Sequence, residues 1–240
     1  MFRIILVLLL LLPANVFAYE CTKEIDSLAK TYDIQIHCSS QNSFSVTGDK
    51  PQIYMLENAA PYLQEFLSFY TKDFISKNID NIYLLHDLKY NGIKVAGLSN
   101  GKDIWIKTQV YYGEYRDFLR IVFHHEFSSN ILKAKFNNLF RWRNEFSINQ
   151  NSDYNFYQKN LLDFEFSRQG NQEIYSQGFV YNYGKTNYEN DFNTYAELLF
   201  VKPEKIKQLS IDYKIISRKL TFLKQVYRSS GYTGKFPDET

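Results

Sequence analysis

Past residue 20, apolar positions recur along the chain in two periods. Spacing near 3.6 predicts a short helix over residues 24–30 and a longer one over 53–74. In the longer one Ile53, Leu56, Ala60, Leu63, Phe66, Leu67 and Tyr70 share a face, and Pro61 is expected to kink it. The same spacing predicts a long helix over 116–140 and two more over 192–200 and 204–227, with Pro203 suited to the first turn of the last. Alternation predicts strands over 32–37, 44–47, 81–85, 92–96 and 103–108. Gly48-Asp49 ends the second of these, and Asn100-Gly101 forms a hairpin turn before the fifth. Residues 149–184 are polar and aromatic with weak periodicity, which predicts short helices and a long loop, and the tail after Ser229 reads as loop. No Gly-, Pro- or Ser-rich linker, repeat or charge block divides the chain, so one domain is expected over 19–240.

The first 18 residues stand apart. Arg3 precedes an apolar run, residues 4–12, which Pro13 breaks, and Val16-Phe17-Ala18 fits a signal-peptidase site. Residues 1–18 are therefore expected to be a signal peptide cleaved before Tyr19. The run is too short to span a bilayer, and nothing downstream reaches that apolar length, so no transmembrane segment is expected. The expected location is outside the cytoplasm, periplasmic or secreted. In that oxidising setting Cys21 and Cys38, the only two cysteines, are expected to form a disulfide. Closing a loop of that size contributes about 3 kcal/mol.

Composition narrows the classes. Of 240 residues, 45% are hydrophobic and 22% charged, which excludes a disordered or collagen-like chain. The 28 Lys and Arg against 26 Asp and Glu leave no basic excess for general nucleic-acid binding. The 20 Tyr and 20 Phe predict a core filled largely with rings, whose Tyr hydroxyls need partners.

The candidate chemistry lies in the middle of the 116–140 helix, at Ile121-Val122-Phe123-His124-His125-Glu126-Phe127-Ser128-Ser129-Asn130. Positions 125, 129, 132 and 136 share a helix face, so His125 and Ser129 point the same way, and Glu126 lies one step round. This placement resembles the His-Glu-x-x-His helix of zinc metallopeptidases, with Ser129 at the second histidine position. Upstream, residues 95–106 look like the hairpin whose edge pairs with extended substrate in such enzymes. Downstream, Gly178-Phe179-Val180-Tyr181-Asn182-Tyr183-Gly184-Lys185-Thr186-Asn187, then Asp191-Phe192-Asn193-Thr194-Tyr195-Ala196-Glu197, resembles the corresponding stretch of zinc-binding metallopeptidases of the gluzincin-like, secreted bacterial type. By motif order the resemblance covers about residues 80–228.

That resemblance implies an α+β, zincin-like fold with a small mixed sheet and a long active-site helix. It implies zinc, with His125 as a ligand and Glu126 as the general base of peptide-bond hydrolysis. For the remaining ligand positions Glu197 comes first, with Asp191, His124 and Ser129 as alternatives and Glu189 behind them. Glu197 fits equally well as the carboxylate that orients His125. Tyr181, Tyr183 and Tyr195 are the candidates for oxyanion or substrate contacts. A peptide or protein would lie along the hairpin edge near residues 96–98. Because serine is a poor zinc ligand, the rival reading is a zincin-fold protein that binds peptides or a partner protein without hydrolysis. A third is a purely structural role in which the histidines only hydrogen-bond. His124 otherwise packs on the opposite face, and His37 and His86 are assigned no special role. The Tyr-rich residues 154–188 read as loop packing ahead of a sugar-binding surface.

Overall fold

The computed structural model describes residues 21–43, 45–109, 117–134, 136–146 and 168–239. The expected signal peptide, and most of the weakly periodic 149–184 stretch, lie outside them. Among the described residues no helix is long and apolar enough to cross a membrane.

Strict alternation builds the sheet that carries the site. In β4 (Asn81–Leu85) and β8 (Asp103–Lys107), Ile82, Leu84, Ile104 and Ile106 turn inward while Tyr83 and Trp105 turn outward. With β1 (Gln35–His37) and β7 (Gly97–Asn100) they form a mixed sheet of order β1-β4-β8-β7. The first three strands are parallel, and β7 pairs antiparallel with β8 at the edge. On the outward face His37, Tyr83 and Trp105 stand side by side, with ring centroids 4.7 and 5.1 Å apart. Tyr83, Trp105 and Leu98 pack against Val46, Leu85 and Leu88. Those residues lead into a second, antiparallel sheet of β2 (Gln41–Asn42), β3 (Val46–Gly48), β5 (Leu88–Tyr90) and β6 (Ile93–Lys94), ordered β2-β3-β5-β6.

The strand expected over 92–96 is thus only β6, and it belongs to the second sheet. Tyr90 pairs with Ile93 across Asn91-Gly92, both at positive φ (50° and 80°), a tight turn that the sequence reading passed over. After β6 the chain crosses to the first sheet as β7. There the expected turn is present, with Asn100 opposite Asp103 and Gly101 at φ 65°.

Helix boundaries differ from expectation where a local cap or a tertiary contact intervenes. α1 (Lys23–Tyr32) is capped by Thr22, and the Cys21–Cys38 disulfide, Cα atoms 5.3 Å apart, ties its start to the end of β1. The 53–74 helix is two: α2 (Ile53–Ser68) runs through Pro61, and the break comes later, where Thr71 caps α3 (Lys72–Asn78) by accepting the Phe74 N–H. The 116–140 helix is likewise α4 (Phe118–Lys133) and α5 (Phe136–Phe146), and on α5 Trp142 packs against Phe192 and Tyr195. After α6 (Gln172–Ser176) and a 3-10 turn at Asn182–Lys185 comes α7 (Tyr188–Val201), started by the Asn187 cap. The last predicted helix divides at Tyr213 into α8 (Pro203–Asp212), with Pro203 in its first turn, and α9 (Lys214–Ser229). A 3-10 turn, Pro237–Glu239, follows the loop after α9. The rings of Phe66, Tyr70, Phe123, Phe127, Phe200 and Tyr227 fill the core between α2, α4, α7 and α9.

Candidate functional site

α4 is buried on every side from Ile121 to Leu132. Its polar residues therefore have to find partners inside the protein. His125 does so at both ring nitrogens. Its Nδ1 lies 2.6 Å from Glu197 Oε1 on α7, and Nε2 lies 3.2 Å from Asn193 Nδ2, one turn earlier on the same helix. Arg168 donates to both Glu197 oxygens, at 3.1 and 3.3 Å. Burial pushes the Glu197 carboxyl up, but Arg168 and His125 outweigh it and hold it below the usual carboxylate range. An ionised Glu197 accepts the Nδ1 proton, which leaves the Nε2 lone pair facing the Asn193 amide.

Asn193 uses its whole carboxamide. Nδ2 donates to His125 Nε2 and, at 2.7 Å, to Ser129 Oγ, while Oδ1 accepts from Ser128 Oγ at 2.6 Å. Ser129 donates in turn to Glu189 Oε1 at 2.8 Å, and Lys133 Nζ lies 2.6 Å from the same oxygen. The Glu189, Asn193 and Glu197 positions are spaced i, i+4, i+8, one face of α7 laid against the His125 and Ser129 face of α4. A serine nucleophile does not arise here. Asn193 already donates to the histidine nitrogen that would take its proton, and Ser129 donates to Glu189 instead.

Glu126 faces the sheet edge. Gly97 and Ser99 of β7 lie against its carboxyl. A Cβ at Gly97 would lie 2.6 Å from Glu126 Oε1 and 2.7 Å from Val122 Cγ1, so only glycine lets β7 run this close to α4. Burial raises the Glu126 pKa, against the opposing pull of His125 and Ser99.

The remaining candidates divide between this cluster and other parts of the core. The Tyr183 ring lies 5.6 Å from that of His125 with the Arg168 guanidinium 4.9 Å from its centre, and burial pushes its hydroxyl up to about 12. His124 points the other way, accepting or donating at Nδ1 with Tyr70 Oη at 3.0 Å and stacking on Phe200. Asp191 is in a separate, fully buried ion pair with Lys219 at 2.7 Å. Gly178 O accepts from both Lys219 Nζ and Tyr195 Oη, which places Tyr195 in that second cluster. Tyr181 is buried in the core, with Lys205 Nζ 5.4 Å from its ring. Sequence reasoning missed Ser128, Lys133 and Arg168, and passed over Asn193 as a functional residue. The signal for Asn193 was its i–4 spacing from Glu197.

Zinc centres take three or four thiolate, imidazole or carboxylate donors. Around His125 Nε2 the structure places one hydroxyl and one amide whose N–H groups point inward, and Glu197 sits on the Nδ1 side. Among the described residues no group of three or more His, Cys, Asp or Glu side chains is placed to hold a metal. The described residues do not fit zinc.

No protein-family model matches the sequence, and no curated protein matches it. A solved structure does: a "putative zinc-binding metallo-peptidase" from Bacteroides caccae ATCC 43185. The match covers 88% of this chain and 84% of that one, with a TM-score of 0.52 and 14% identity. At that identity the likeness is one of fold: the chain adopts the expected α+β architecture with a small mixed sheet, similar to that structure's.

Proposed function

We propose that this chain is an exported zincin-fold protein that captures an extended peptide segment without hydrolysing it. The observation that carries the reading is the edge of β7. Asn100 and Asp103 close the β7–β8 hairpin, Leu98 lies opposite Trp105, and Lys107 N–H donates to Ala96 O at 2.9 Å. Antiparallel pairs alternate, so residues 96, 98 and 100 spend their backbone groups on β8 while Gly97 and Ser99 direct theirs outward. An outward row of this kind is a template for a further strand. The same two residues rest on Glu126, so a bound segment would lie beside the His125 cluster. That cluster supplies no donor set for zinc and no activated serine, which favours capture over cleavage. Periplasmic or secreted location rests on the N-terminal apolar run and the disulfide.

The test is to follow fluorescently labelled, unstructured casein peptides by anisotropy and by chromatography. Binding without cleavage is expected. Ser99→Pro removes an outward N–H and should abolish binding, whereas Ser99→Ala keeps that N–H and should retain it. Cleavage by the zinc-treated wild type that Glu126→Gln abolishes would replace this reading with the hydrolytic one.

A further inference from the structure

By the resemblance of α4 to a His-Glu-x-x-His helix, an ion would lie between His125 Nε2 and the side chain at position 129. A metal ion makes one demand on its ligands, that each turn a lone pair inward. An N–H bond makes the same demand. His125 Nε2 and Ser129 Oγ both turn lone pairs toward Asn193 Nδ2, at 3.2 and 2.7 Å, and that nitrogen has two hydrogens to give. The other end of the carboxamide is fixed by Ser128 at 2.6 Å. All four of these side chains are buried. Charge is settled in the same way. A divalent ion would offset nearby carboxylates, but here Glu197 has Arg168 at 3.1 Å and Glu189 has Lys133 at 2.6 Å. Each inward residue is thus backed by a carboxylate, and each carboxylate by a cation of the chain itself.

We propose that the Asn193 carboxamide has taken over the organising role of the metal, so that α4 and α7 are cross-linked by a metal-free hydrogen-bond centre. The cross-link joins residues 68 positions apart. It is complete whether or not a peptide binds at β7, so it stands or falls separately from the binding reading.

The test begins with the wild type, incubated with zinc, desalted and analysed for metal. It should retain none, and the imidazole nitrogen resonances of His125 should not move. Retention of about one zinc per chain, lost in His125→Ala, would overturn the proposal. The paired substitution Ser129→His with Asn193→Glu puts metal-ligating groups at the two positions that flank Nε2. It should bind about one zinc per chain and give the visible bands of tetrahedral cobalt. A folded double variant that binds neither ion would show that positions 129 and 193 do not flank the ion's place, and would overturn the proposal. Asn193→Ala supplies a readout that needs no metal. Amide exchange in α4 and α7 should accelerate about tenfold or more and zinc should not restore it, whereas unchanged protection would also overturn the proposal.

Discussion

Two neighbouring histidines divide α4 into unlike halves. His124 and His125 are both buried, at 1% and 7% exposure, and they sit about 100° apart around the helix. His124 enters a shell of rings: Phe66, Phe69 and Phe200 lie within 5.3 Å, and Tyr70 Oη meets its Nδ1. Burial, aided by Arg120, lowers its pKa to about 3, so it stays neutral. His125 enters a shell of polar groups, with a carboxylate on one nitrogen and an amide on the other. Burial alone does not distinguish a packing histidine from one held for a site. The chemistry of the partners does.

The sharpest test of that contrast is to place the same residue at both positions. His125→Phe takes one buried partner from Glu197 and one from Asn193 and sets a ring among polar groups, which should cost about 3–5 kcal/mol, read by urea unfolding. Asn193→Leu leaves His125 Nε2, Ser128 and Ser129 without their shared partner and should cost about 3 kcal/mol. His124→Phe keeps a ring among rings and loses one hydrogen bond, so about 1–2 kcal/mol is expected. Equal costs for the two histidine variants would erase the contrast.

Acid sharpens it further. The folded-state pKa of His124 lies below the ordinary 6.5, so under pH 6.5 the unfolded chain takes up a proton that the folded chain refuses. This stabilising contribution is complete above pH 6.5 and is lost as pH falls toward 3, at on the order of 1 kcal/mol per pH unit. His124→Phe should therefore unfold with a shallower pH dependence between 6.5 and 4 than the wild type. The smallest effect is expected for Glu126→Gln. Burial already favours the neutral carboxyl there, and an amide of the same shape should change stability by less than about 1 kcal/mol.

Much of this was legible along the chain. Alternation placed β4 and β8 correctly, because a strand with one face buried writes its period directly into the sequence. The i, i+4 relation of His125 and Ser129 put both on one face, and both meet Asn193. Other features were hidden. One helix is expected over 53–74 with a kink at Pro61, yet α2 runs through Pro61 and ends at Ser68, and Thr71 caps a separate α3. Glu197 had two readings of equal standing, ligand or orienting carboxylate, and local sequence holds nothing to separate them. Asn193 stood unmarked within the 191–197 stretch, since a buried asparagine carries no charge or metal preference to mark it.

By itself, then, the sequence determined where helical and extended segments lie, the single pair of cysteines able to bridge, and the helix that carries the candidate chemistry. The tertiary structure decided which partner each polar group meets. Helical periodicity sets angles within one helix, but the rotation and register of α7 against α4 depend on packing across the whole core. That packing brings residue 193, rather than 191 or 197, to the inward nitrogen of His125, and so decides that an amide stands there.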